Sequence, residues 1–140
     1  MHYLDTSVLT AYYCPESRSA HVQQRLARLD GPTISPLVAV ELCCTIARKV
    51  RAGHLDRTAA IRLFVEFESQ LAEPRFRMVP IDAAEYDLAR QWIVQLVSPL
   101  RVLDALHLAA AHAHDLVLLT ADGQLAAAAK HFGVKHRLIA

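Results

Sequence analysis

Short apolar runs alternate with longer helical segments along the chain, and this pattern predicts an α/β domain with a central, mostly parallel β-sheet. The clearest strand is 116–119, a continuous apolar run typical of parallel strands buried on both faces. Proline, glycine and capping side chains lie between the predicted elements and mark their ends. The length of 140 residues, without repeats or linkers, favours one domain over 1–140.

The opening residues predict a strand followed by two helices. Tyr3-Leu4-Asp5 has the character of a short strand that ends in an acid, and Thr6 or Ser7 can cap the helix that starts there. Over 17–29, apolar residues recur at helical spacing among arginine and glutamine. A Gly-Pro pair ends that helix, and 33–34 can form a short buried strand.

Two more helices are predicted in the middle of the chain. The first covers 36–50, because Ser35-Pro36 places an N-cap before a proline in the first helical position. The second covers 57–71, follows the capping residue Asp56 and is stopped by Pro74.

The second half of the chain continues the alternation of strands and helices. Ser98-Pro99 interrupts one helix, and the acid after the apolar run begins another. The predicted elements are a strand within 76–81, helices over 82–97 and 102–114, the strand 116–119, a helix over 122–131 and an edge strand within 135–139.

The composition is that of a globular protein. Hydrophobic residues make up 54% of the chain and charged residues 21%, a balance that excludes a disordered chain. No apolar run approaches the roughly 18 residues needed to span a bilayer, and residues 1–5 lack the basic start of a signal peptide. We therefore expect a cytoplasmic protein without a membrane segment. The cysteines are expected to be small buried apolar groups; they are Cys14, Cys43 and Cys44.

The net charge of +1 gives only weak overall attraction to nucleic acid. The basic residues are nevertheless clustered, and arginine pairs well with phosphate oxygens. Solvated helix faces have the same pattern, so charge alone does not separate the two interpretations. The clusters are Arg18, Arg25 and Arg28, followed by Arg48, Lys49 and Arg51.

Four acids stand at positions that a soluble fold does not require. Asp5 and Asp122 each follow a predicted strand, and ligands of open parallel sheets bind at that edge. Glu41 and Asp104 lie within otherwise apolar helical stretches, where a carboxylate is costly to bury unless it is paired or bound to metal. We therefore expect the four side chains to converge on one pocket.

Such a pocket requires a cation. Two like charges about 4 Å apart repel by roughly 4 kcal/mol at an effective dielectric constant near 20. A divalent cation bound among the carboxylates turns their net repulsion into net attraction. Ligands that are all oxygens favour Mg²⁺ or Mn²⁺ over zinc. A metal held there can activate a water and stabilise charge on a phosphate that is being cleaved.

Each acid also has a purely structural interpretation. Asp5 and Asp122 can cap the helices that follow them. Asp104 can pair with Arg101 three residues before it, and Glu41 can be a partly exposed helix residue. His107 shares the helix face of Asp104 and is either a general base or a packed core residue.

Four stretches of the chain together resemble the signature motifs of PIN domains, in order and at typical separations. The resemblance extends over essentially the whole chain and is strongest to VapC toxins of bacterial and archaeal toxin–antitoxin pairs. The stretches are Tyr3-Leu4-Asp5-Thr6-Ser7-Val8-Leu9, Leu37-Val38-Ala39-Val40-Glu41-Leu42, Arg101-Val102-Leu103-Asp104-Ala105-Leu106-His107-Leu108-Ala109 and Leu118-Leu119-Thr120-Ala121-Asp122.

The resemblance implies a three-layer α/β/α domain that is an endoribonuclease dependent on Mg²⁺ or Mn²⁺, forms a homodimer and is inhibited by a cognate VapB antitoxin. The acids implied to bind metal and carry catalysis are Asp5, Glu41, Asp104 and Asp122. The resemblance also assigns supporting roles to Ser7, Thr120 and Arg101. The segment 55–77 carries no usable signature.

Two other classes of protein fit the sequence less well than a nuclease. The first is a haloacid-dehalogenase-like phosphatase, which needs a second aspartate two places after the first, where this chain has Ser7. The second is a non-catalytic binding module. A receiver-like module needs adjacent acids after the first strand, where this chain has Thr6-Ser7, whereas an inactive PIN relative remains an alternative, although all four acids are retained.

Overall fold

The computed structural model describes residues 1–73 and 75–140, and within them five strands form one parallel sheet. The strands are β1 (His2–Leu4), β2 (Thr33–Ile34), β3 (Arg77–Met78), β4 (Val117–Thr120) and β5 (His136–Leu138). The helices are α1 (Thr6–Tyr13), α2 (Ser19–Ala27), α3 (Pro36–Arg51), α4 (Arg57–Ala72), α5 (Ala83–Ile93), α6 (Val102–Ala113) and α7 (Gly123–His131). The predicted α/β class, the parallel sheet and the three-layer α/β/α arrangement are confirmed.

The strand order is β3-β2-β1-β4-β5, which places β1 at the centre of the sheet. β1 pairs with β4 in a register that puts Leu4 opposite Leu119. The backbone N–H of Asp5 donates to the carbonyl of Leu119, at 3.3 Å, just past the end of β1. The residues that follow the two strands therefore emerge side by side, although more than a hundred positions separate them in sequence.

The core is built on these two central strands. Tyr3, Leu4, Leu118 and Leu119 are all fully buried. The continuous apolar run predicted this burial for β4 only. Helix α6 contacts β4, and its alanines at 109–111 are fully buried. Small side chains let a helix lie close to its neighbours, so this part of α6 fixes the position of the residues on its first turns.

Several boundaries differ from the predicted ones. The predicted strand within 76–81 is only Arg77–Met78, because β3 is an exposed edge strand that pairs with β2 alone. The predicted helix over 82–97 ends at Ile93. Leu96 beyond it is 90% exposed with φ +59°, so no burial favours continuing the helix.

Three local predictions, on a helix cap, the cysteines and a helix end, have different outcomes. Asp5, and neither Thr6 nor Ser7, caps α1. Only Cys14 is buried as predicted, whereas Cys43 is half-buried and Cys44 is exposed. The predicted helix stop at Pro74 lies outside the described residues, and α4 ends at Ala72.

None of the helices in the described parts of the chain combines the length and the hydropathy that crossing a bilayer requires.

Candidate active site

One cavity of about 410 Å³ is lined by all four predicted acids. Asp5 and Asp122 reach it from the ends of β1 and β4, Glu41 from α3 and Asp104 from the first turn of α6. The other lining residues are a fifth acid, three arginines, four hydroxyl side chains and one histidine: Glu16; Arg18, Arg48 and Arg101; Thr6, Ser7, Thr10 and Thr45; and His107. The expected convergence of four distant carboxylates is a feature of this fold.

Asp5 is the most buried of the four acids, with 3% of its surface exposed. Its Oδ1 accepts hydrogen bonds from Ser7 Oγ at 2.6 Å and from the Val8 backbone N–H at 3.1 Å. Its Oδ2 accepts a hydrogen bond from Thr120 Oγ1 at 2.5 Å. Both oxygens are thus held in one orientation. Burial raises the pKa of Asp5, and the donors from Ser7 and Thr120 oppose that rise.

Ser7 and Thr120 join the two central strand ends. The backbone N–H of Ala121 donates to Ser7 Oγ at 2.9 Å, and that of Asp122 donates to Thr120 Oγ1 at 3.0 Å. Each hydroxyl therefore donates to Asp5 and accepts from the chain after β4. Ser7 lines the cavity, whereas Thr120 is fully buried beneath it.

Glu41 is half-buried and is held through one of its oxygens. Its Oε1 accepts from Thr6 Oγ1 at 3.0 Å and lies 2.5 Å from His107 Nε2. Burial by itself raises the pKa of Glu41. The hydrogen bond and the charge interaction with His107, together with the hydrogen bond from Thr6, outweigh burial and hold that pKa below its ordinary value. Among the described residues, no hydrogen bond occupies Oε2 of Glu41.

Asp104 and Asp122 are more exposed than Asp5. The Oδ2 of Asp104 lies 3.5 Å from the largely exposed Arg101 Nε, as the structural interpretation of Asp104 predicted. Burial raises the pKa of Asp104; Arg101 opposes the rise and the charge of Asp122 adds to it. Asp122 Oδ1 accepts from the backbone N–H groups of Gln124 and Leu125 and so caps α7.

Capping and cavity lining do not exclude each other here. Asp5 caps α1 and Asp122 caps α7, yet both line the cavity. The N-terminus of a helix favours negative charge, so capping also stabilises these carboxylates at the pocket.

Several residues of the site were not predicted. Glu16 and Thr10 line the cavity but lie outside the four stretches that resemble PIN motifs. Tyr3 hydrogen-bonds His107, and Ser35 hydrogen-bonds Tyr3. A tyrosine in a buried strand needs a partner for its hydroxyl, and that requirement was the signal available in the sequence.

The donor chemistry of the cavity fits a hard divalent cation. Its acidic side chains offer only oxygen atoms, and the charge of Asp122 adds to the effect of burial in raising the pKa of Asp104. Within 1–73 and 75–140, the side chains of His, Cys, Asp and Glu form no group of three or more that could hold a metal ion in the positions they occupy. Metal binding therefore remains a prediction.

The family model described as the PIN domain matches residues 2–131. The chain belongs to the PIN domain family. No curated protein sequence matches this PIN domain significantly.

Solved structures show the same fold. One is VapC20 of Mycobacterium tuberculosis, described as a sarcin-ricin loop cleaving toxin, at 18% identity over 91% of this chain and 95% of that chain, with a TM-score of 0.73. FitAcB of Neisseria gonorrhoeae is 25% identical over 97% and 96%, with a TM-score of 0.72. A toxin-antitoxin complex from Klebsiella pneumoniae is 18% identical over 87% of each chain, with a TM-score of 0.59. This PIN domain therefore has the fold of VapC-type toxins.

Proposed function

We propose that this PIN domain is a cytoplasmic, metal-dependent endoribonuclease, the toxin of a type II toxin–antitoxin pair, that hydrolyses RNA phosphodiesters. The observation that carries the proposal is the single cavity into which Asp5, Glu41, Asp104 and Asp122 all project. The description of VapC20 as a sarcin-ricin loop cleaving toxin supports it, since that protein shares the fold.

In this proposal the four acids hold one or two Mg²⁺ or Mn²⁺ ions. When bound, the cation lowers the pKa of a water and stabilises negative charge on the phosphate. Asp5 and Glu41 are each oriented by two or more hydrogen bonds before any ligand arrives. Such prior orientation limits the reorganisation that binding requires.

Substrate approach is assigned to the arginines around the acids. Arg18, Arg48 and Arg101 line the same cavity, so a phosphate backbone can pair with guanidinium groups while its scissile bond faces the carboxylates. Single-stranded or looped RNA is the proposed substrate, because a flexible backbone enters a narrow cleft more readily than a duplex does.

The test is cleavage of a labelled single-stranded RNA with Mg²⁺ or Mn²⁺, with EDTA as the metal-free control. Asp104→Asn should abolish cutting and leave the fold intact, because it removes a charge that the metal requires but keeps the shape of the side chain. Asp87→Asn is the matched control, since Asp87 is exposed on α5 and pairs with Arg90. Full metal-dependent cutting by Asp104→Asn would reject the assignment.

The same measurements separate the alternatives. An inactive PIN relative would cut no RNA and would show no Asp5-dependent heat of Mn²⁺ binding. A phosphatase would release phosphate from small phosphoesters faster than it cuts RNA.

The proposed protein partners are a cognate VapB-type antitoxin and a second copy of this chain. The Klebsiella neighbour is described as a toxin-antitoxin complex, which supports the first. An apolar groove of about 300 Å³ lined by Leu37, Val40, Ile81 and Tyr86 offers surface for a protein contact. Light scattering of the purified protein, alone and co-expressed with a candidate VapB-type antitoxin, tests both partners.

A further inference from the structure

A chain of buried hydrogen bonds runs from the start of α3, through β1 and α6, back to Glu41 in the middle of α3. Tyr3 OH lies 2.8 Å from Ser35 Oγ and 2.9 Å from His107 Nδ1. His107 Nε2 lies 2.5 Å from Glu41 Oε1. Tyr3 and Ser35 are fully buried and His107 is 3% exposed, so no bulk water competes for these groups.

The direction of each hydrogen bond follows from counting donors and acceptors. Glu41 Oε1 is a carboxylate oxygen, so His107 Nε2 must carry the hydrogen that lies between them. If Nδ1 accepts, Tyr3 donates to it, and the Tyr3 oxygen accepts from Ser35. Ser35 Oγ still accepts from the Val38 backbone N–H at 3.5 Å, so the Ser35 hydroxyl both donates and accepts a hydrogen bond.

The opposite direction leaves a buried group unsatisfied. With Nδ1 protonated, Tyr3 would accept from His107 and donate to Ser35. The Ser35 hydroxyl hydrogen would then have no acceptor within the described residues, at a site with 0% exposure. Leaving a buried hydroxyl without an acceptor is costly, because the hydrogen bond that it makes to water in the unfolded chain is not replaced.

We propose that Tyr3 and Ser35 hold His107 in its Nε2–H form and that His107, as a positioning residue, fixes Glu41 Oε1 so that Oε2 is left to bind the cation. This inference rests on the proposed function for the role of Glu41. His107 and Thr6 both donate to Oε1, and among the described residues no hydrogen bond occupies Oε2. Partners of this kind, one contact behind a metal ligand, commonly change metal affinity by 10–100-fold when they are mutated.

The first experiment reads the hydrogen positions without any metal. Long-range proton–nitrogen NMR correlation spectra of the metal-free protein distinguish a protonated from an unprotonated ring nitrogen. We expect His107 to be protonated at Nε2 and unprotonated at Nδ1. Tyr3→Phe should shift the Nδ1 signal because it removes the donor, whereas Tyr86→Phe, an exposed tyrosine, should leave it unchanged. A His107 ring protonated at Nδ1 would overturn the inference.

The second experiment measures Mn²⁺ binding by calorimetry, with thermal unfolding as the check on folding. His107→Leu should weaken Mn²⁺ binding by roughly 10–100-fold, because Glu41 loses the donor that orients it. His107→Gln should restore most of that affinity, since its amide N–H reaches about as far as Nε2. A purely packing role for His107 would show no such difference between Leu and Gln. His54→Leu, at an exposed histidine, is the matched control.

The outcomes separate the two proposals. Equal Mn²⁺ affinity in wild type and His107→Leu, with wild-type RNA cutting intact, would overturn the positioning role alone. If His107→Leu does not fold, unchanged Mn²⁺ affinity in the smaller change Tyr3→Phe overturns the proposal instead. Wild-type protein that neither binds Mn²⁺ nor cuts RNA would overturn the proposed function and the positioning role with it.

Discussion

The Thr120 hydroxyl donates to Asp5 Oδ2 over 2.5 Å, although 115 positions separate the two residues in sequence. The contact is possible because β1 and β4 are adjacent parallel strands whose C-terminal ends coincide. Thr120 Oγ1 also accepts from the backbone N–H of Asp122. The Thr120 hydroxyl thus links the buried carboxylate of Asp5 to the turn that carries Asp122.

Thr120→Val should destabilise the protein by about 1–3 kcal/mol, because it leaves a buried carboxylate oxygen and a backbone N–H without their partner. Thr120→Ser keeps the hydroxyl and should retain most of the stability. Urea unfolding of the two variants measures the difference. Equal free energies of unfolding for Val and Ser would contradict a stabilising role for this hydrogen bond.

Asp5→Asn should make the metal-free protein more stable near neutral pH, and this advantage should shrink as the pH falls. Burial raises the pKa of Asp5 in the folded state, so protonation of Asp5 favours folding. The stabilisation of the folded state by protonated Asp5 is fully present below the ordinary pKa of an aspartate. It is lost as the pH rises through the raised pKa of Asp5 in the folded protein. Asparagine resembles the neutral acid at every pH.

The measurement for Asp5→Asn is a series of urea unfolding curves of both proteins in EDTA across the acidic range. A difference in unfolding free energy that stays constant with pH would show that the ionised carboxylate of Asp5 is not costly in the fold.

Divalent cations should raise the free energy of unfolding of the wild-type protein. A ligand that binds only the folded state stabilises it by about 2.7 kcal/mol at a hundred times its dissociation constant. Denaturation in Mn²⁺ compared with EDTA measures the effect, and Asp104→Asn should reduce it. Stability that is the same with and without Mn²⁺ would argue against a metal site in this cavity.

Arg48→Gln should weaken RNA binding, because Arg48 is an exposed arginine that lines the acidic cavity. The dependence of binding on salt should also become less steep, by about 0.7 in the logarithmic slope for each lost phosphate contact on a single strand. Binding is measured at several salt concentrations in the Asp104→Asn background, which prevents cutting. Arg62→Gln, exposed on α4 outside the cavity, should bind as the parent does; similar losses in both variants would contradict a specific contact.

Most of the fold was predictable because its signals are local. The Ser35-Pro36 start of α3 and the buried run that became β4 depend on residues within one or two turns or along one strand. The predicted ends of helices and strands were wrong where tertiary packing, and not a local signal, sets the boundary. Helix α5 ends at Ile93, because the residues beyond it are exposed, and β3 keeps only two residues, because it is an edge strand that pairs with β2 alone.

Residue types at strand ends and within apolar helices are visible in the sequence, and they identify the candidate acids Asp5, Glu41, Asp104 and Asp122. That these acids line one cavity, and that Tyr3 and His107, 104 positions apart, meet beside Glu41, depends on how the elements pack in three dimensions. Helical spacing and capping act within a few residues. The partner of a buried hydroxyl or carboxylate, in contrast, is chosen by which strands and helices pack together.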